Sequence, residues 1–561
     1  MTMNSALPRI TALSRTLSPT LSNQGVIGLP SRRLRILDTT LRDGDQAAGY
    51  AFTPAQKLSI ALALEEAGVD CVEAGFPASS AREADICRLI AASLRTASVA
   101  VMSRASVADI RSSAAALDGS GRGVLHLSLP VSRLHIETKL RKTEAEILSL
   151  AAESTLFAAG LASAVEAGAE DATRADRSFL LEYCCAVTEA GAGIVNIADT
   201  VGHTVPHEFA GLIRFLLERV PAFRNGQSLL SVHCHNDFGL ANANTLSGIT
   251  AGCGQIEVTC LGLGERSGNA ALEEIGAVLR CRSDLYRVDT GLNAPATDNL
   301  VSLVSGIIGS SLSPFKPVTG WNRRSHASGI HQQGILTNAQ TYAPGPDDPA
   351  DRIVIGPHSG RAGLRDAVRR YAGREIGEAD LTRLLETVKT DQRAIPSLGV
   401  TELLSMLYDD GLIDNSPIGC DSLVVSERLT PAGFMYIATA GFAAYHPKGA
   451  AVDALSTGMT ATSDTWTEAI VGLVRSVSPA VMALETISFS GYRQAYPSPH
   501  SPSNPAMRLN LAVTASDPAG NPGRRYVLER VGFSQYRLLL DCLLDMVNAE
   551  KGLASAISPS V

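Results

Sequence analysis

His233 and His235 stand two residues apart at the polar end of an apolar run, Leu229-Leu230-Ser231-Val232-His233-Cys234-His235. In a strand, side chains at i and i+2 leave the same face, so both imidazoles can meet one ion. Asp43, past the first apolar run, is a candidate third ligand, and Asn269, past the last, a candidate fourth. Two imidazoles, a carboxylate and an amide oxygen with open positions suit Zn²⁺, Mn²⁺, Co²⁺ or Mg²⁺, and spacing does not choose among them. Such an ion acts as a Lewis acid towards a 2-oxo acid, whose keto oxygen and carboxylate can chelate it. Arg42, beside Asp43, is placed to offset the charge that grows on that oxygen. The plain alternatives are a chance His-x-His pair on a polar strand end and a structural ion pair for Arg42.

The elements that must hold these residues alternate from Arg35 to about residue 280. Short β-branched or apolar runs predict strands at Arg35–Asp38, Asp70–Gly75, Ser98–Ser103, Val124–Leu129, Ala162–Ala167, Ile194–Ile197, Leu229–His233 and Gln255–Thr259. Helix-period stretches separate them. The first predicted helix has Thr53 as cap, Pro54 at its first position, Gln56 to complete a capping box and Gly68 at its far end. Eight such units in about 250 residues predict an α/β fold, a closed (β/α)8 TIM barrel rather than an open doubly wound sheet. Polar clusters follow the strands, at Arg42–Gln46, Glu170-Asp171, Asp199-Thr200, His233–Asp237 and Glu265–Asn269. A barrel built only for stability has no need of polar groups gathered at one rim.

The full chain has 561 residues, which suggests two to four domains. Its net charge of −8 argues against wholesale binding to nucleic acid or a membrane surface. No apolar run approaches the roughly 18–20 residues of a membrane span. None of the 10 cysteines forms a C-x-x-C pair, which disfavours a zinc knuckle, and a chain this long has no need of disulfide staples, which fits a reducing compartment. Residues 1–34 lack Asp and Glu and carry Ser, Thr, Pro and Arg. They read as a disordered extension of a cytoplasmic protein, with an organelle transit peptide as the alternative. The barrel is expected over 35–305, a mostly helical linker over 306–418 and a C-terminal α+β domain of regulatory or dimerisation type over 419–561. In that last part strands are expected at Leu423–Val425, Phe434–Thr439 and Phe442–Tyr445, then a helix from Ser463. A second copy of the pattern has strands at Ala483–Phe489, Met507–Ala515 and Arg524–Glu529 and a helix from Ser534.

Three motifs carry a resemblance. Asp38-Thr39-Thr40-Leu41-Arg42-Asp43-Gly44-Asp45-Gln46, His233–Ala241 and Gly262–Ala270 resemble those of the 2-isopropylmalate synthase and homocitrate synthase family. The resemblance implies condensation of acetyl-CoA with a 2-oxo acid on a metal-bearing barrel, followed by thioester hydrolysis. It implies Asp43, His233 and His235 as metal ligands, Asn269 as completing the site, and Arg42 as polarising the keto group. It further implies Glu170, His331 and Tyr342 as the groups that take a proton from the acetyl methyl and donate one to the forming alkoxide or thioester. The last two would come from the linker of a second subunit, in a homodimer whose site each partner completes. Gln46, His126, Gly168, Thr200 and Arg133 are the expected substrate-facing residues.

The choice of 2-oxo acid is less marked. Val72–Pro77 and the C-terminal region resemble the isopropylmalate synthases, which take 2-oxoisovalerate in leucine biosynthesis. Pro130-Val131-Ser132 and Ala198-Asp199-Thr200 resemble homocitrate synthases. Glu166 would repel a second substrate carboxylate, so an apolar side chain is expected, with a homocitrate synthase or a specialised relative as the alternative. A lyase of the 3-hydroxy-3-methylglutaryl-CoA type shares barrel and metal motif but not the linker and tail. Ser456–Thr460 stands where the leucine-sensing relatives carry Gly-Asp-Gly-Pro, which leaves leucine feedback open against plain dimerisation. The glycines at 262, 264 and 268 miss the dinucleotide spacing and are read as a turn that places Asn269.

Overall fold

Parallel pairing runs unbroken around a ring. β1 (Arg35–Asp38) pairs with β2 (Cys71–Glu73) on one side and β8 (Gln255–Val258) on the other. Between them β3 (Ser98–Arg104), β4 (Gly123–Pro130), β5 (Ala164–Glu170), β6 (Ile194–Asp199) and β7 (Leu229–Cys234) complete a closed eight-stranded barrel. This computed structural model describes residues 32–308, 313, 315–345, 352–390 and 398–413. Beyond them it describes six strands and the single positions 470, 474, 543, 544 and 548.

Helices α1 (Pro54–Glu66), α2 (Ala81–Ser93), α3 (Val107–Ala116), α4 (Glu144–Ala159), α5 (Arg177–Glu189), α6 (Pro206–Arg219), α7 (Ala241–Ala251) and α8 (Leu272–Cys281) surround the strands. The predicted start of α1 is present in full. Thr53 Oγ1 accepts from Gln56 N, Gln56 Oε1 accepts from Thr53 N, and Pro54 opens the helix. Gly68 follows in the left-handed region at φ 85°, where a Cβ would lie 1.9 Å from Gly291 O.

The fifth strand departs from expectation. It begins at Ala164 and runs to Glu170, because β4 continues to Pro130 and carries the ladder through Ser128–Gly168 to Pro130–Glu170. Glu170 therefore ends a strand rather than following one, which fixes its backbone more firmly than a loop would.

One apolar core fills the space between strands and helices, with Ile36, Val72, Val99, Leu125, Val165, Val195, Leu230 and Ile256 fully or almost fully buried. Cys71 and Val124 belong to a separate small cluster with Leu37 and Ala100. They share strand faces with Glu73 and His126, two residues on. The barrel interior is thus apolar in one layer and polar in the next, where Glu73, His126, Glu166, Asn196, His233 and Glu257 are all buried.

After the barrel, α9 (Ala294–Ile308) buries Leu300, Val301 and Val304 in the barrel's own core. The linker adds α10 (Gly329–Thr337), α11 (Arg361–Ala372), α12 (Glu378–Thr390) and α13 (Val400–Asp409), the last three around a second core. Six strands follow as two three-stranded antiparallel sheets: β9 (Ile418–Thr430), β10 (Gly433–Ala444) and β11 (Ala454–Ser463), then β12 (Val481–Tyr492), β13 (Ala506–Ser516) and β14 (Pro522–Gly532).

Two expectations change in this region. Phe442 belongs to β10, and the third strand is Ala454–Ser463, so Ser463 ends a strand where a helix start was expected. The ladder runs on through Gly441, with a register irregularity between Ala440 and Phe442, and so joins the two expected strands Phe434–Thr439 and Phe442–Tyr445 into one. Residues 1–31 and most of both expected C-terminal helices lie outside the described residues. Among those described, no helix is long and apolar enough to cross a membrane.

Candidate active site and metal centre

The turn after β1 sets the first group. Asp43 N and Gly44 N both donate to Thr39 O, which lifts Asp43 to the C-terminal rim of the barrel. There Asp43 Oδ2 lies 3.8 Å from His233 Nε2 and 3.9 Å from His235 Nε2, and the two Nε2 atoms are 3.2 Å apart. All three residues are buried. The i, i+2 spacing thus puts both imidazoles on one face as expected, against the aspartate of the neighbouring segment.

Asn269 joins them. Its Nδ2 donates to Asp43 Oδ1 at 3.0 Å and to Leu263 O at 3.0 Å, leaving Oδ1 buried with no partner among the described residues. The glycines before it make that approach possible. A Cβ on Gly264 would lie 2.2 Å from Asn269 Nδ2, and one on Gly268, at φ 86°, would lie 2.0 Å from Gly262 O. The stretch is a turn that places Asn269, as its spacing suggested.

The charges suit a cation. Burial pushes the Asp43 carboxyl up, but Arg42 and the two imidazoles outweigh it and hold it at about 2. Burial, ahead of all other causes, pushes His233 and His235 down to about 4, so both are neutral near pH 7. An ionised carboxylate, two neutral imidazoles and an orphaned amide oxygen are the protonation states a divalent ion requires. Donor atoms about 2.1 Å from a common centre lie about 3.0–3.4 Å apart, so modest adjustment of these side chains would seat one.

Behind this set stands a layer that adds two carboxylates not among the expected site residues, Glu73 and Glu257, to the expected His126. Glu257 Oε2 lies 2.9 Å from His233 Nδ1 and fixes that ring. Glu73, fully buried at the end of β2, accepts from Arg42 Nε at 2.7 Å and Thr39 Oγ1 at 2.6 Å, and lies 2.8 Å from His126 Nδ1. Burial opposes its charge, yet Arg42 and His126 hold it well below the usual carboxylate range. His126 is depressed by burial but raised more by Glu73 and Glu257, to about 9. Arg42 is thereby locked between Glu73 and Asp43, whose Oδ2 accepts from its Nη1 at 2.8 Å. The available signal was a glutamate inside each of two short apolar strands, where an unpaired charge would be costly.

The remaining expected residues divide. Gly168 sits directly beside His126, whose Nε2 would be 2.9 Å from a Cβ there. Thr200 Oγ1 accepts from Asp171 N at 2.8 Å, which leaves its own hydroxyl hydrogen to donate. Glu170 Oε1 meets His135 Nδ1 at 3.1 Å and Lys139 Nζ at 2.7 Å, two partners not anticipated. Gln46 is exposed in a 3₁₀ turn. Arg133 does not turn inward: it pairs with Glu137 one helical turn on, with its side chain 80% exposed. His331 stacks on Tyr342, ring centroids 4.0 Å apart, with His326 alongside. No hydrogen bond or ring contact among the described residues joins that pair to Glu170.

Comparison with known proteins places these motifs in context. A family profile described as HMGL-like matches residues 33–304. The chain is 41% identical over 379 residues to the 2-isopropylmalate synthase of Pyrococcus furiosus, covering 66% of this chain and 74% of that protein. It is 40% identical over 367 residues to that of Oceanobacillus iheyensis, covering 64% and 71%. Among solved structures, the hydroxymethylglutaryl-CoA lyase of Pseudomonas aeruginosa is similar with a TM-score of 0.43 and 20% identity, over 50% of this chain and 95% of that one.

Proposed function

The chain belongs to the 2-isopropylmalate synthase family, and from that premise we propose that it condenses acetyl-CoA with a 2-oxo acid, releasing CoA and a 2-alkylmalate. The reaction is that of leucine biosynthesis, and its 2-oxo acid is 2-oxoisovalerate. The observation that carries the reading is the convergence of the Asp43 carboxylate with two neutral imidazoles beside Arg42 at the C-terminal rim.

Asp43, His233, His235 and the orphaned Asn269 oxygen would hold a divalent ion, which supplies Lewis acidity towards the keto oxygen. Arg42, held by Glu73, faces the charge that develops on that oxygen. Thr200 offers its hydroxyl hydrogen to the substrate carboxylate. Glu170 orients His331, contributed by a second copy of the chain, and His331 takes a proton from the acetyl methyl group. The methyl carbon then bonds to the keto carbon, the keto oxygen becomes an alkoxide, and Tyr342 of that copy protonates it. Water cleaves the thioester, and the thiol leaves as CoA. His126 and Gly168 line the interior beside this centre. Residues 419–561 serve regulation or dimerisation.

An apolar substrate side chain agrees with the interior. Arg133 is turned away, and Glu166 is a carboxyl pushed up to about 8, first by burial and then by Glu257. Neither offers a cation to a second substrate carboxylate. The test is thiol release from acetyl-CoA with 2-oxoisovalerate, pyruvate and 2-oxoglutarate in parallel. Fastest turnover is expected with 2-oxoisovalerate. Release of no CoA with any of them overturns the reading, and preference for 2-oxoglutarate overturns the substrate assignment alone.

A further inference from the structure

The Glu170 carboxylate is not free at the rim. The segment after β4 is tied to the end of β5 at three places. Val131 N donates to Glu170 O at 2.9 Å, Ser132 Oγ donates to Asp171 Oδ2 at 2.5 Å, and Lys139 Nζ reaches both Glu170 oxygens at 2.7 and 3.0 Å. Within it, His135 presents Nδ1 to Glu170 Oε1 at 3.1 Å. Its other nitrogen, Nε2, is 3.4 Å from Arg174 Nη2. A guanidinium can only donate, so a neutral ring that accepts it at Nε2, where Asp171 Oδ2 also lies at 3.7 Å, carries its proton on Nδ1. Arg174 is itself fixed, since its Nε and Nη2 donate to the carboxylate of Asp171, whose side chain is fully buried. Asp171 sits in the left-handed region at φ 60°, which aims its side chain back under His135 and Arg174.

We propose that His135 is a positioning residue for the condensation: its Nδ1–H, set by the Asp171–Arg174 pair behind it, holds Glu170 Oε1 and leaves Oε2 to receive the imidazole of the proton-accepting histidine. Lys139 is the weaker partner. Its side chain is 55% exposed, against 22% for His135, so solvent screens its pairing and lets it move aside. The inference rests on the role given to Glu170 above.

Steady-state kinetics of His135→Ala, His135→Asn, His135→Gln and Glu170→Gln, with acetyl-CoA and methyl-deuterated acetyl-CoA, test it. An asparagine amide can reach the position of Nδ1–H, whereas a glutamine amide reaches that of Nε2. His135→Ala is expected to lower kcat about tenfold to a hundredfold. KM for both substrates stays within about twofold, and the deuterium isotope effect grows as proton removal becomes slower. His135→Asn restores most of kcat and His135→Gln does not. Should the alanine variant fail to fold, the asparagine–glutamine contrast alone decides. Equal activity in those two variants, or an unchanged isotope effect in a slowed variant, reduces His135 to a structural role and overturns the proposal. Glu170→Gln separates the two readings. If it keeps wild-type turnover and isotope effect, the role of Glu170 falls and the proposal with it. If it collapses while the His135 variants stay at wild-type rates, only the His135 proposal falls.

Discussion

Glu257 on β8 meets His233 Nδ1 on β7 at 2.9 Å, across a register that sets the two residues directly opposite. The contact assigns the ring proton to Nδ1 and leaves Nε2 bare towards Asp43, the arrangement in which an outer carboxylate raises a ligand's basicity. Glu257→Gln keeps the shape and removes the charge. Affinity for the divalent ion is expected to fall about 10–100-fold, read by competition with a chromogenic chelator, with turnover restored by excess metal. Unchanged affinity would show that the pairing merely fills space.

Gly264 is constrained by approach rather than by a left-handed backbone. An added Cβ would lie 2.2 Å from Asn269 Nδ2 and 2.8 Å from Asp43 Oδ1, both fixed groups at the centre. Gly264→Ala should therefore displace Asn269, weaken metal retention on dialysis and lower kcat at least about tenfold. Gly193→Ala is the control, since nothing lies within 4 Å of its Cβ position. Equal behaviour of the two variants would contradict the packing.

The Glu73–His126 pair makes stability depend on pH. His126 rises from 6.5 to about 9 in the folded chain, because Glu73 and Glu257 outweigh burial. Its protonated form is favoured by folding, so its contribution is complete below about pH 6.5 and lost as pH rises through about 9. It amounts to at most about 3 kcal/mol. Glu166, raised to about 8 chiefly by burial, acts in the same direction, so the difference between variants is the readout. Denaturant unfolding between pH 6 and 10 should give a shallower decline for His126→Gln than for the wild type. Parallel curves would remove the charged pair.

The barrel was legible because its signals are local. Thr53, Pro54 and Gln56 announce α1 within four residues, and the His-x-His step fixes a shared face whatever the rest of the fold does. What escaped depends on contacts between distant segments. Glu73 and His126 are 53 residues apart, and His135 and Glu170 are 35 apart. Their meaning appears only when strand order and register are known.

His331 and Tyr342 bear on the oligomer. They stack on each other at 4.0 Å and join His326, so the linker presents a preformed pair with no contact to Glu170. If that pair serves the barrel of a second copy, two inactive variants should rescue one another. His233→Ala lacks a functional barrel centre and His331→Ala lacks a functional linker. Mixed, dissociated and reassociated in equal amounts, they give heterodimers in about half the population, each with one site built wholly from unaltered parts. Activity should rise from near zero to about a quarter of the wild-type value, in step with the heterodimer fraction measured by native mass spectrometry. Heterodimers that form without recovered activity would mean that each chain supplies its own histidine, and that the linker must close onto its own barrel during turnover.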